Sequence, residues 1–133
     1  MIYLYDDYLK KENILTTEVA MSIHQEMYSE IGNDQDALEL YEELLRKAIE
    51  YSAIRSKWTV MSSEEKMDAD PGRTMKHDSL IVKFNQLAKF LKMQGKPAIW
   101  RDRLGYEEDD KINRKKIGDM GCYIAFIHAI NAR

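Results

Sequence analysis

Apolar residues recur along this chain at spacings of three and four, and no segment alternates apolar with polar residues over the length of a strand. The pattern predicts helices throughout. "TTEVAMSIHQEMYSEIG" offers Thr16 or Thr17 as a cap, places Val19, Ala20, Ile23, Met27 and Ile31 on one face, and stops at Gly32. In "NDQDALELYEELLRKAIEYSAIRSKWTVM", Asn33 or Asp34 caps a helix of about 25 residues whose stripe runs through Leu38, Tyr41, Leu44, Leu45, Ala48 and Ser52 to Arg55. Ser62-x-x-Glu65 is a capping-box pattern and predicts a short turn of helix that Pro71 ends. Asp70 then caps a fresh helix with Pro71 in its first position, continuing through Leu80, Ile81, Phe84, Leu87, Ala88 and Leu91 to Gly95. "KPAIWRDRLG" reads as a brief helical connector, and the acidic run "YEEDD" favours the positive start of a last helix, "KINRKKIGDMGCYIAFIHAINAR".

Between Ile117 and Ile130 apolar residues point all round the helical wheel, the signature of a helix enclosed by others. The expected fold is therefore all-α: a single compact bundle of five or six helices around a buried C-terminal helix, with residues 1–133 forming one domain. Composition agrees, since 44% hydrophobic and 32% charged residues in 133 positions suffice for one core and lie far from the profile of disorder. A net charge of -3 gives no global attraction to nucleic acid or an anionic membrane, so neither is an expected partner. Cys122 sits in an apolar run with no second cysteine to pair with, which suits a reducing compartment. The opening "MIYLYDDYLKK" lacks a signal-peptide pattern, and the apolar stretch from Ile117 is shorter than the roughly 20 residues of a membrane span; a cytoplasmic location is expected.

Candidate chemistry concentrates in "DPGRTMKHDSLI". At about 100° per residue, Asp70, Arg73 and His77 share a face with Leu80, Phe84, Leu87 and Leu91, so these polar groups extend a buried stripe and need partners. An HD-type metal phosphohydrolase is one reading, because His24, His77, Asp78 and Asp119 follow that family's order of ligands and could activate water on a divalent metal. The context differs: the His-Asp dyad here precedes its apolar stripe, and Asp78 points about 100° away from His77, so a shared metal is not expected. Glu39, Glu42, Glu65 and Asp68 imitate the E-x-x-E and E-x-x-D carboxylates of MazG-type nucleotide pyrophosphohydrolases, but Asp68 lies just before the predicted break and a solvated face explains them. Lys111, Arg114, Lys115 and Lys116 could touch phosphate, although Glu107 and Asp110 stand at ordinary helix ion-pair spacing from Lys111 and Arg114.

Asp119, on the enclosed helix, needs a cation, and Arg55 or Arg73 could supply a bidentate fork to make a buried ion pair. Trp58, Trp100 and Arg101 are candidates for an interaction edge, because aromatic and arginine side chains anchor interfaces, although core packing at a helix end is the commoner explanation of such residues. Leu40, Tyr51, Ile54 and Trp58 lie off the main stripe of the second helix and suggest a homodimer contact.

From Tyr51 onward, over about two-thirds of the chain, the sequence resembles a family of short bacterial proteins classed only as a domain of unknown function; the resemblance rests on "YSAIRSKW", "EEKMDAD", "RTMKHDSLI", "WRDRL" and "KKIGDMGCYIAFIHAINAR". It implies an all-helical protein of low-GC Gram-positive bacteria or their mobile elements and carries no catalytic residue with it. The expectation is a non-enzymatic protein-interaction or regulatory domain without a cofactor, the alternative being a metal-dependent phosphohydrolase or nucleotide pyrophosphohydrolase.

Overall fold

A computed structural model describes residues 15–105 and 111–131, which form five helices and no strand: α1 (Thr17–Ile31), α2 (Gln35–Trp58), α3 (Ser63–Met93), α4 (Ile99–Asp102) and α5 (Lys111–Asn131). The first fourteen residues and the "YEEDD" run, with its Glu107 and Asp110 spacings, lie outside the described residues. Helix starts follow local chemistry. Thr16, Asp34 and Ser62 each accept a hydrogen bond from a first-turn backbone N–H, and Ser62 and Glu65 close the reciprocal capping box. Gly32 takes a positive φ of 54° where α1 stops.

Pro71 does not end a helix. It lies inside α3, and Asp70 caps nothing. A proline within a helix deprives the carbonyl four residues earlier of its donor and crowds it, at a cost of about 3 kcal/mol even in a solvated helix. Here the neighbourhood is wet: Met67, Asp68, Asp70, Pro71 and Gly72 are all exposed, so solvent can serve the Met67 carbonyl and the helix continues.

The helices bury a common core that includes Ile23, Met27, Leu44, Phe84, Leu87 and Ile117. Helix α2 packs against both α3 and α5, while α5 also meets α1 and α3. The enclosed wheel predicted for α5 holds only in part: Ile117, Met120 and Ile124 are buried, but Asp119, Cys122 and Tyr123 are half-buried, Phe126 is 61% exposed and Ile130 45%, because neighbouring helices cover only the first part and not all of its sides. The off-stripe residues of α2 are spent within the fold: Tyr51 is buried, and Leu40, Ile54 and Trp58 are half-buried. Their excess therefore no longer argues for a dimer. No described helix is long and apolar enough to cross a membrane.

The connector between α3 and α5 is anchored on α1. Glu30 accepts hydrogen bonds from the Ala98 backbone (3.0 Å) and Trp100 Nε1 (2.7 Å), and Lys96 Nζ donates to the Glu30 carbonyl. Arg101 is fully buried and donates to Asn85 Oδ1 (2.7 Å) and to the Gly105 carbonyl. Trp100 and Arg101 are thus interior residues. Their polar tips find partners inside the domain, which allows both to be buried.

Candidate cationic cleft

Two glycines shape the site. A Cβ on Gly118 would stand 2.9 Å from Tyr51 Oη and 3.1 Å from His77 Nε2, and one on Gly121 would stand 2.6 Å from Leu80 Cδ2. Without those carbons, α5 comes close to α2 and α3 along one face. Arg114 lies one turn before Gly118 on that face, so the approach brings its carbonyl to His77 Nε2, which donates to it at 2.7 Å.

At this end of the bundle opens a cleft of about 610 Å³, lined by Tyr51, Arg55, Arg73, Thr74, His77, Asp78, Arg114 and Lys115. Three helices contribute. Most of its cations are held in place: Arg55 reaches Asp119 Oδ1 at 2.5 Å and Cys122 Sγ at 3.7 Å, and Arg114 reaches Asp78 Oδ1 at 2.6 Å. Arg73 donates to Asp70 at 3.2 Å and lays its guanidinium over Trp58, 4.4 Å from the ring centroid. Its Nε is buried without a hydrogen-bond partner among the described residues.

His77 extends the inward stripe of α3 as its spacing predicts and is only 7% exposed. Tyr51 meets it edge to face, with centroids 5.0 Å apart. Burial, and after it the charges of Arg114 and Arg73, draw the imidazole below its ordinary range, against the opposing pull of the Arg114 carbonyl and Asp78; burial pushes the Tyr51 hydroxyl up.

The predicted polar cluster comes together only in part. Arg55, Arg73, His77 and Asp78 line the cleft and Asp119 stands behind Arg55. Asp119 chooses Arg55, not Arg73. The pair is also less buried than an enclosed helix implies, with Asp119 16% and Arg55 35% exposed. The reason is the groove beside it, where Leu15, Cys122 and Phe126 leave the α1 side of α5 open. Asp70 belongs to the exposed start of α3 and not to the interior.

His24 is elsewhere, hydrogen-bonded to Tyr41 Oη at 2.8 Å and packed edge on against Tyr28. Among the described residues no three His, Cys, Asp or Glu side chains gather as a metal-holding group. Glu39, Glu42, Glu65 and Asp68 are all exposed, and Glu65 serves the helix cap. Of the predicted interaction edge only Trp58 remains at the surface, half-buried beneath Arg73, since Trp100 and Arg101 are interior.

Sequence reasoning left Thr74 out of the site and gave Arg114 and Lys115 only as possible phosphate contacts, apart from the cluster around His77. The signal that finds them is the spacing of Arg114, Gly118 and Gly121 at i, i+4 and i+7, which marks the face where α5 approaches closely. No family model, curated protein or solved structure matches the chain.

Proposed function

We propose that the protein acts by binding rather than by catalysis, as an interaction or regulatory domain that receives a negatively charged group of its partner in the α2–α3–α5 cleft. One observation carries this reading: four cationic side chains from three helices line a single cleft, with Asp78 the one carboxylate of its lining and Asp70 and Asp119 paired to Arg73 and Arg55 from outside it, in a chain whose net charge is -3. Such a concentration against the overall charge is what a site for an anion requires. The groups that could serve as acid or base already hold structure, with Asp78 and Asp119 acting as counter-ions to arginines and His77 donating to the main chain.

Titration of isotope-labelled protein with tripolyphosphate at low ionic strength tests it. Amide signals of residues 51–55, 73–78 and 114–115 are expected to move together, and Arg73→Glu combined with Lys115→Glu should weaken binding at least tenfold. Shifts scattered over the surface, or none, would overturn the proposal.

A further inference from the structure

We propose that the outward face of α3 is the contact of a homodimer in which two copies of this helix lie antiparallel. At about 100° per residue, Met67, Pro71, Met75, Val82 and Met93 fall within an arc of about 80°, opposite the buried stripe of Leu80, Phe84, Leu87 and Leu91. All five are exposed, Met67 and Met93 to 78%, Met75 to 68% and Val82 to 49%. At roughly 1.5 Å per residue the stripe from Met67 to Met93 is about 39 Å long. Single apolar side chains are ordinary on a surface, but a line of them along one helix is the face that a second helix covers. The contact is not the α2 face that the sequence suggested.

The first half of α3 points the same way. Ser63 to Lys76 has no buried side chain, yet it carries Pro71 and Gly72, the two residue types least favourable to a helix interior. Contacts within the chain do little to offset that cost. Burial of Met67, Pro71 and Met75 against a second helix does, because apolar surface removed from water stabilises the conformation that removes it. Methionine suits the task, since its unbranched chain adapts to whatever shape the opposing face presents.

Charge identifies the second helix as another α3. On or beside the stripe, Glu64 and Asp68 stand at the N-terminal end and Lys89 and Lys92 at the C-terminal end, all exposed, while Asp78 in the middle is paired with Arg114. Parallel copies would set like charges together. Antiparallel copies, overlapped end to end, set the acidic end of each on the basic end of the other, place Met67 of each beside Met93 of the other, and bring Val82 close to the two-fold axis. The helix macrodipoles favour the same arrangement. One helix face per copy is a small contact, near the lower bound of about 1,200 Å² for stable interfaces, so a dissociation constant on the order of 10–100 μM is expected.

Sedimentation velocity of the full chain from about 5 to 500 μM tests the proposal, with a passage from monomer to dimer expected across that range. Val82→Asp changes an exposed position near the axis; it should weaken association at least tenfold and leave the circular dichroism spectrum and the melting temperature as they were. Asp68→Lys and Lys89→Glu should each weaken association about fivefold by setting like charges together, and an equimolar mixture of the two variants should associate again. That recovery requires the acidic end of one chain to meet the basic end of the other, which a general change in surface charge does not produce. A chain that stays monomeric throughout leaves the face to a helix of another protein and overturns the proposal. A dimer that survives Val82→Asp, or a mixture no stronger than either variant alone, overturns it equally.

Discussion

Trp100→Ala is expected to destabilise the domain by about 3–5 kcal/mol, a large share of the roughly 5–15 kcal/mol that holds a domain of this size together. The side chain is completely buried, touches Phe84 with ring centroids 6.5 Å apart, and donates its indole N–H to Glu30 Oε1. Truncation leaves a cavity at the α1–α4 contact. It also leaves a partly buried carboxylate oxygen without its donor, and that oxygen belongs to the residue that anchors the connector. Urea unfolding followed by circular dichroism measures the loss. Were Trp100 a recognition residue, the variant would unfold at the wild-type midpoint, and that result would defeat the structural assignment.

Asp119→Ala comes second in size, at about 2 kcal/mol. This lies between the worth of an exposed pair, under about 1 kcal/mol, and the 3–5 kcal/mol lost when one member of a fully buried pair is removed. Partial exposure of Arg55 sets the intermediate value, because water can take over some of the solvation that the carboxylate provided. Asp119→Asn should lose less, since the amide oxygen still accepts from the guanidinium. If Asp119→Ala melts like the wild type, the contact is energetically idle.

How much of this was legible in the sequence depended on whether the governing interaction was local. Caps at Thr16, Asp34 and Ser62 and the stop at Gly32 involve neighbours within four residues, so their residue types announce them. The inward placement of His77 and the need of Asp119 for an arginine could also be read from helical spacing, which left Arg55 and Arg73 both open as its partner. Pro71 was misleading for a related reason. Proline in a helix is a cost and not a prohibition, and only the tertiary structure shows that α3 runs on through it with this turn open to water.

Core packing of Trp100 and Arg101 stood beside the interaction edge as an explanation, but it could not be chosen from the sequence because their partners, Glu30 and Asn85, lie 70 and 16 residues away. The cleft's α5 wall was hidden by a competing local explanation. Acidic residues at ion-pair spacing made the basic run look like an ordinary helix surface, whereas its place is set by the close approach at Gly118 and Gly121.

Helix α3 has two unlike halves. From His77 onward it contributes seven buried side chains to the core, while Ser63 to Lys76, about 20 Å of helix, contributes none and contains the proline. Opening of a helix segment costs as much as the contacts it must break, so the two halves should differ widely in how often their amides are released to solvent. Hydrogen exchange should run orders of magnitude faster for residues 64–75 than for 80–91. Arg73 and Thr74 stand on the fast half, so a ligand that grips them must slow exchange there first. The cleft would then have one wall set by the core and one that its occupant helps to hold.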